Sequence, residues 1–557
     1  MKTKLTSSAA FFNSRILTGF ALCLGGLILA LAGFSKPVTA TSDSTNVTEG
    51  AKPNASGGFA ARPRNTQHHH YQVIDMGTFG GPESFFTETD PFISASSVLN
   101  KKGMAVGGSA TSTPTTSTSN FLVCGGLGGV PFVSHAFEAQ NGMVTDLGAL
   151  PGGDNCSGAT GINAKREIVG LSENGEIDPL TGVTQTRPTR WIDGQITDLG
   201  SFGGNQGWAS GINNQGLIVG ASLNTVPDPY SLIDGLIGSS NGTQTRPFLW
   251  RDGVMQDLGT LGGPDAWAIL INQHGQVAGL SYTNFNPSVG CPGLLTSDPF
   301  FWANGKMTDV GTLGGTCGVP FALNNRGQVV GQSFVTGDST YHPFLWPGQD
   351  GKIQDLGTLG GTYGWALAIN DSGGIVGFAS VAGDLAEFAV LWRGTSIANL
   401  GSLGSDPCST ANGINNSDQV VGVSATCDYA LRRAFLWENG SMVDLNRLIP
   451  PNSGLQLTLA EAINDRGEIT INATPTGCDV VEACGHAVLL IPCDENHPGI
   501  EGCDYSLVEA PAAVAQPSAA SRDVTSRTLP QSLQIPQLLQ SPMSPYRFPG
   551  RAFGPRN

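Results

Sequence analysis

The sequence has few charged residues, and basic residues are the scarcer kind. Charged side chains make up 13% of the 557 residues, with 28 Lys and Arg against 44 Asp and Glu, whereas about 25% is typical of globular domains. A helical bundle or coiled coil needs many more Glu and Lys. The formal net charge of -16 leaves no general basic character for phosphate backbones, so nucleic acid is not an expected partner.

Cysteine is present, but no two cysteines have the C-x-x-C spacing. This excludes zinc ribbons and thioredoxin-like redox chemistry, which depend on that spacing. Ten of the 11 Cys follow residue 40, an even number that is typical of disulfides in an oxidising compartment. Glycine, in contrast, is abundant at 77 residues, although it lacks the three-residue period of collagen. The composition therefore predicts a turn-rich, all-β protein.

The two ends of the chain differ from the rest in composition. Residues 1–40 predict a signal peptide, with basic residues before the uncharged run 16–34 and a small-residue cleavage site at Ala40. An uncleaved membrane anchor is the alternative, because about 19 apolar residues can span a bilayer. Residues 41–70 predict a polar linker, and its His68-His69-His70 triplet is interpreted as solvated, with metal binding as the alternative. Residues 494–557 predict a C-terminal extension with a disordered tail rich in Pro and Gln. The expected location is extracytoplasmic: secreted, periplasmic or at the cell surface.

A repeated string organises the chain between these ends. Asp-Leu-Gly-Thr-Leu-Gly-Gly begins at Asp257 and Asp355, and six varied copies make a total of eight. An Asn preceded by an apolar residue follows most copies closely. These asparagines are Asn100, Asn163, Asn213, Asn272, Asn324, Asn370, Asn415 and Asn464. A third string, such as His342-Pro343-Phe344-Leu345-Trp346, also occurs eight times, with first residues His135, Arg187, Arg246, Asp298, His342, Glu387, Arg433 and His486.

Each repeat contains four short apolar runs separated by turn signals. Asn-Gly or Asp-Gly, as at Asp252-Gly253, separates the third run from the fourth in several repeats, and these pairs favour tight hairpin turns. Four strands in about 45 residues is the arithmetic of a β-propeller blade. Residues 71–493 thus predict a propeller of four-stranded antiparallel blades, most simply eight, with seven as the alternative. Tyr71–Asp75 would complete the last blade and close the ring; an open β-solenoid is the other architecture that fits.

The strings also resemble a known family. His-Ala-Phe at His135, Arg-Ala-Phe-Leu-Trp at Arg433 and the Asp-Leu-Gly strings are similar to those of the extracellular HAF-repeat proteins of bacteria. The resemblance covers about residues 71–491 and implies export and a repetitive β architecture. It implies no activity for particular residues.

Loop length varies at only one end of the predicted propeller. The loop between the second and third runs is long and differs between repeats, whereas the turns at the opposite end are short. Such variation on a rigid scaffold is typical of a binding surface, although drift in tolerant loops is the alternative. Six cysteines fall at the long-loop end, which suggests local pairs among many possible ones. The suggested pairs are Cys124–Cys156, Cys291–Cys317 and Cys408–Cys427, with Cys478–Cys484 and Cys493–Cys503 closing loops near the C terminus.

Few residues suggest chemistry. The strand-start His positions hold Arg, Asp or Glu in other repeats, so we interpret them as structural polar positions and expect no catalytic residue, metal or cofactor. Trp208, Trp267 and Trp365 each lie five residues before a repeat Asn. They are candidates for a ligand-stacking platform, although packing between blades explains them as well.

The functional hypothesis is an exported, non-enzymatic propeller that binds or scaffolds, using its long-loop face for a glycan or protein partner, and that is monomeric. One alternative is a carbohydrate-active enzyme with its site at the central channel. The other is a structural or adhesive protein of the cell envelope. Membrane association is expected only if the N-terminal segment remains uncleaved.

Overall fold

The computed structural model describes residues 67–86, 98–116, 118–124, 132–140, 142–237, 242–348, 351–479 and 481–509. The predicted signal peptide, most of the predicted linker and the tail from residue 510 lie outside these residues. Within them, no helix has the length and apolar character needed to cross a membrane.

The described residues form strands almost throughout. In the first half of the chain the strands are β1 (Gln67–His69), β2 (Tyr71–Asp75), β3 (Gly80–Phe85), β4 (Ala105–Pro114), β5 (Phe132–Gln140), β6 (Met143–Gly148), β7 (Ser157–Ile162), β8 (Ile168–Ile177), β9 (Thr184–Ile192), β10 (Gln195–Asp198), β11 (Gly207–Ile212), β12 (Ile218–Asp228), β13 (Gly242–Arg251), β14 (Val254–Asp257), β15 (Ala266–Ile271), β16 (Val277–Pro287), β17 (Leu295–Ala303) and β18 (Lys306–Asp309).

In the second half the strands are β19 (Gly314–Leu323), β20 (Val329–Val335), β21 (Tyr341–Trp346), β22 (Gln354–Asp355), β23 (Gly360–Ile369), β24 (Ile375–Val381), β25 (Glu387–Arg393), β26 (Ser396–Gly401), β27 (Cys408–Ile414), β28 (Val420–Ala425), β29 (Arg432–Glu438), β30 (Ser441–Asp444), β31 (Leu455–Ile463), β32 (Ile469–Pro475), β33 (His486–Pro492) and β34 (Leu507–Glu509). Three short helices, α1 (Phe121–Cys124), α2 (Leu232–Leu236) and α3 (Val481–Cys484), and a 3-10 turn at Leu445–Arg447 complete the set.

The strands form four-stranded antiparallel sheets, which confirms the prediction of an all-β chain made of such sheets. We number the sheets as repeats 1 to 8: β3–β6, β7–β10, β11–β14, β15–β18, β19–β22, β23–β26, β27–β30, and β31–β33 with β2. One parallel bridge, Ser297 to Cys317, joins repeats 4 and 5. The first strands of neighbouring sheets contact each other, as β7 does β11 and β23 does β27. The first strand of each sheet is therefore the innermost one.

The N-terminal strand β2 supplies the outer strand of the last sheet. Tyr71 lies opposite Pro492 and Asp75 opposite Val488 in an antiparallel register. His486 Nδ1 is 2.9 Å from Asp75 Oδ1, across 411 residues of sequence. The two ends of the repeat region are thus held in one sheet.

A bulge in the first strand explains one recurrent glycine of the second strand. The register of β11 against β12 shifts between Ala209 and Gly211, and several other repeats have an equivalent shift. A Cβ on Gly220 would overlap the carbonyl oxygen of Trp208, and one on Gly279 that of Trp267. The second strand therefore needs glycine where it passes the bulge, since any side chain there would push the two strands apart.

Aromatic side chains fill the space between sheets. Trp191, Trp346 and Trp392, each near the end of a third strand, are at most 2% exposed. Phe248 and Phe300 are fully buried at the middle of third strands. Stacked in this way, the sheets present few faces to water, which accounts for the scarcity of charge.

Both edges of the repeat region are more ordered than the sequence suggested. β1 lies inside the predicted linker 41–70 and pairs with β34, inside the predicted extension 494–557. His68 is fully buried, with Nδ1 2.7 Å from Glu438 Oε1, so the solvated interpretation of this residue is corrected. His497 is also buried and lies between Asp494 and Glu468, at 2.8 and 3.3 Å.

Candidate functional site

The end of the propeller with short turns, the tight-turn end, is held by the repeat asparagines. The amide Nδ2 of Asn213 donates to the main-chain oxygen of Asn272 at 3.1 Å. Its Oδ1 accepts the N–H groups of Gln215 and Leu217, which fixes the turn between the first two strands. The same Nδ2 bond links every repeat to the next, and Asn464 donates to Asn100 at 3.0 Å.

These asparagines are buried and bonded within the protein. Each is at most 8% exposed, and in several the amide also meets a side chain four residues later, as Asn324 meets Gln328 at 2.9 Å. The sequence identified the asparagines as a repeated turn signal, but it gave no sign of the bonds between repeats. The tight-turn end is therefore structural.

The strand-start His and Arg positions are paired with the Asp of the repeat string. His342 Nδ1 is 2.8 Å from Asp355 Oδ2, and this hydrogen bond raises the pKa of His342. Arg246 contacts Asp257 with two nitrogens, at 2.9 and 3.2 Å. The pair joins the third strand to the fourth, as the structural interpretation of these positions requires.

Two repeats break this pairing. In repeat 4 the position holds Asp298, which faces Asp309; burial, followed by the charge of Asp309, raises the pKa of Asp298 to about 7. In repeat 6 the comparison of the strings placed Glu387 at this position. In the structure, Phe388 lies opposite Ala379, just as Arg246 lies opposite Ser222 in repeat 3. Phe388 therefore occupies the position. Glu387 is one residue earlier, and because side chains alternate along a strand it belongs to the other face of the sheet.

All five suggested disulfides are present. Cys124–Cys156, Cys291–Cys317 and Cys408–Cys427 fasten long loops to the neighbouring crossover, and Cys478–Cys484 and Cys493–Cys503 close the later loops. The Cys124–Cys156 sulfurs lie near Glu173 in a group with metal-site dimensions. Because both sulfurs are in a disulfide, they are not thiolate ligands.

The long-loop end divides into two halves. Second strands β4, β8, β12 and β16 have 10 or 11 residues, whereas β20, β24, β28 and β32 have six or seven. The difference corresponds to a step on the order of 10 Å at the strand rise. We call repeats 1 to 4 the raised half and repeats 5 to 8 the low half.

Exposed apolar side chains concentrate at this end. Among the described residues, 12 large apolar or aromatic side chains are exposed, and eight of them lie at the tips of second strands or in the loops that follow. The most exposed are Leu385 at 82% and Leu431 at 71%, both in the low half. The others are Ile177, Leu180, Val226, Tyr230, Phe285 and Val289. Exposed apolar surface gathered on one face is typical of an interaction site.

The three candidate tryptophans are not on this surface. Trp208, Trp267 and Trp365 are at most 5% exposed. The rings of Trp208 and Trp267 meet edge to face at 4.7 Å, and Trp267 Nε1 donates to Ser210 across the two sheets. In place of an exposed platform, these rings pack between sheets.

Buried carboxylates hold the long loops in place. Glu173 accepts the N–H groups of Asn120 and Cys156 at 2.6 and 2.8 Å. Asp265 accepts those of Leu232 and Thr245 at 2.6 and 2.9 Å. Burial raises the pKa of Glu173 and of Asp265. Their bonds to backbone amides explain why these acids are buried.

Glu387 is buried in a different setting. It is 3% exposed, and its hydrogen bonds come from phenols: Tyr429 donates to Oε1 at 2.7 Å, and Tyr363 donates as well. Burial raises the pKa of Glu387 to about 7, against the lowering effect of these bonds. The alternation of side chains along β25 would predict that Glu387 is buried, but only once the register of β25 against β24 is known.

One string in the sequence has the spacing of a hydrolase motif. Gly238-Ser239-Ser240-Asn241-Gly242 has the G-x-S-x-G spacing of a serine-hydrolase nucleophile turn. That turn leads from a strand into a helix, whereas this string follows α2 and leads into β13. Residues 238–241 lie outside the described residues, and the string is not assigned a catalytic role.

No family model and no curated protein matches the chain. Similar solved structures include the acylaminoacyl peptidase of Pyrococcus horikoshii, at 10% identity and a TM-score of 0.35 over 59% of this chain and 50% of that one. The propeller domain of the Trilobed protease of Pyrococcus furiosus has 13% identity and a TM-score of 0.30, over 53% and 95%. TolB of Acinetobacter baumannii has 10% identity and a TM-score of 0.29, over 76% and 96%. The chain spans half the length of the acylaminoacyl peptidase.

These comparisons correct the functional prediction. Several of the similar solved structures are peptidases, and the predicted non-enzymatic glycan- or protein-binding scaffold has no support among them. The two alternatives, a carbohydrate-active enzyme and an adhesive protein of the cell envelope, have no support from these comparisons either. At these identities the likeness concerns the fold.

Proposed function

We propose that this chain is a peptidase-type propeller that engages peptide substrates at its long-loop end. The observation that carries the proposal is the concentration of exposed apolar side chains at this end. Six of the eight are aliphatic, and aliphatic groups contact the apolar side chains of unfolded peptides, whereas sugar recognition favours exposed aromatic rings. The five disulfides fit an extracytoplasmic location for this activity.

The step between the halves supports the same proposal. The raised half provides a wall, and the low half beside it carries Leu385 and Leu431. The tips of the wall are self-capped, since Asn174 and Asn224 accept the N–H groups of Glu176 and Val226 at 3.0 and 2.8 Å. Side-chain contacts with a peptide are therefore favoured over addition of a peptide strand to the wall.

The architecture that we propose for this function is a closed ring of eight blades. Support comes from the Asn-to-Asn bonds, which run through eight repeats and return from Asn464 to Asn100, and from β2 in the last sheet. We also assign the repeats to the HAF-repeat family on the strings at His135, Arg433 and Asp257. Export through residues 1–40 belongs to the same proposal.

The proposal is tested by peptide binding to the purified protein. Leu385→Ser with Leu431→Ser should weaken binding of an apolar, unstructured peptide at least about tenfold, because each lost apolar contact is worth about 1 kcal/mol. The matched control is Met143→Ser with Val254→Ser, since these residues are exposed to 71% and 67% and begin β6 and β14 at the opposite end. Equal binding by the two double variants would contradict the proposal. Mass spectrometry of the incubated peptide would show whether this chain also cleaves it.

A further inference from the structure

A buried acid in the low half has aromatic neighbours and, among the residues that the structure describes, no ion pair with a cation. Glu387 begins the third strand of repeat 6, Tyr341 begins that of repeat 5, and Tyr363 lies in β23. Tyr429 reaches across from the long loop of repeat 7. The rings of Tyr341 and Tyr363 are 5.9 Å apart, so the carboxyl group sits among three phenols.

The charges around this carboxyl group are negative. Burial raises the pKa of the Tyr341 and Tyr363 phenols, and the negative charges of Glu387 and Asp384 raise it further. Arg432, the first residue of β29, donates Nε–H to the main-chain oxygen of Tyr429 at 2.6 Å, and its charge lowers the pKa of Glu461 and not that of Glu387. An ionised carboxylate buried without a cation is costly, and unlike Glu173 and Asp265 this one is bonded to side-chain hydroxyls instead of backbone amides.

The backbone at Tyr429 has an unusual conformation that positions its side chain in this cluster. Tyr429 has a φ of 55°, in the left-handed region that a bulky residue rarely adopts. This conformation places its hydroxyl between Glu387 Oε1 and Thr410 Oγ1, at 2.7 Å from each. Tyr341 and Tyr363 are only half-buried, and the exposed Leu385 and Leu431 lie in the adjoining loops. The phenol cluster thus has a solvent-facing side at the low half.

We propose that Glu387, with Tyr341, Tyr363 and Tyr429, binds the ammonium group of a peptide. A carboxylate surrounded by aromatic rings is the chemistry that recognises organic cations. The ammonium group is either the N-terminal amine or a lysine side chain. This inference rests on the proposed function and names the feature by which a peptide is selected.

The experiment compares three peptides of one apolar sequence: a free N terminus without Lys, the acetylated form, and the acetylated form with one Lys. At pH 8 the wild-type protein should bind a peptide with an ammonium group about tenfold more tightly than the acetylated peptide without Lys, as expected for one charge-assisted contact. The first and third peptides distinguish the two sources of the ammonium group. Because the pKa of Glu387 is raised to about 7, the preference should fade at pH 6.

Glu387→Gln should abolish this preference and leave binding of the acetylated peptide unchanged. Glu461→Gln is the matched control, because Glu461 is also a buried carboxyl group whose pKa burial raises to about 7, and it should retain the preference. Equal binding of all three peptides by the wild-type protein at pH 8 would overturn the inference alone, as would a preference that survives in Glu387→Gln. Failure of every peptide to bind would overturn the proposed function as well. If Glu387→Gln does not fold, the three-peptide comparison on the wild-type protein at pH 8 still tests the inference, because it needs no variant.

Discussion

The two ends of the propeller solve opposite problems with the same repeat. At the tight-turn end, each repeat places an Asn whose amide nitrogen bonds to the next repeat, and in Asn324 the amide oxygen also accepts two backbone N–H groups. At the long-loop end, second strands range from six to 11 residues, and apolar side chains reach solvent. Uniformity thus marks the end that stabilises the fold, and variation marks the end that we propose to be functional.

The largest expected effect comes from removing one asparagine of the tight-turn end. Asn324→Ala deletes the bond to the oxygen of Asn370 and leaves the N–H groups of Arg326 and Gln328 without their acceptor. We expect the free energy of unfolding to fall by about 3 kcal/mol, since each buried group left unpaired costs about 1–3 kcal/mol. Thermal unfolding measures it, with Gln256→Ala, an exposed amide in β14, as the control.

The same substitution at the junction tests closure. Asn464 donates to Asn100 across the ends of the repeat region and accepts the N–H groups of Arg466 and Glu468. In a closed ring, Asn464→Ala should cost as much as Asn324→Ala. A loss much smaller than that of Asn324→Ala would show that the junction is open in solution.

A smaller effect is expected at the broken pair of repeat 4. Because the pKa of Asp298 is raised from 3.8 to about 7 in the folded protein, folding is favoured when this group is protonated, and stability falls as pH rises from about 4 to 7. Asp298→Arg would recreate the pair seen between Arg246 and Asp257. This substitution should remove the loss of stability that Asp298 causes as pH rises. It should also raise the free energy of unfolding by about 1 kcal/mol at pH 8.

The control for this comparison is Asp298→Asn, which removes the titration without adding a cation. Chemical denaturation at pH 5 and pH 8 measures both variants. If the wild-type protein and Asp298→Asn lose the same stability between these pH values, the paired acids are not the cause.

Short-range signals allowed much of this fold to be predicted from the sequence. Turn strings predicted the strands of each repeat. The positions of six Cys relative to those strings suggested three of the disulfide pairs, and closeness in sequence suggested the other two; the structure contains all five. The pairing of β1 with β34 was missed because it joins Gln67 to Glu509, and no local pattern reports a contact at that separation. The Glu387 register was missed because one residue of slip changes the face of a strand.

The candidate site was harder to predict than the fold. Trp208 and Trp267 attracted attention as aromatic residues, yet burial between sheets is decided by neighbouring repeats and not by their own positions. Leu385 and Leu431 are unremarkable in sequence, and only their exposure in the structure identifies them. The lesson of the two ends is that repeated residues indicated the scaffold, whereas the residues that differ between repeats indicate the function.

Hydrogen–deuterium exchange with and without the apolar peptide tests the central claim most directly. The account predicts slower exchange in the loops of the low half, at residues 382–386 and 426–431, with no change in the turns that begin at Asn213 and Asn272. Slower exchange confined to those turns, with the long loops unaffected, would contradict the assignment of function to the long-loop end.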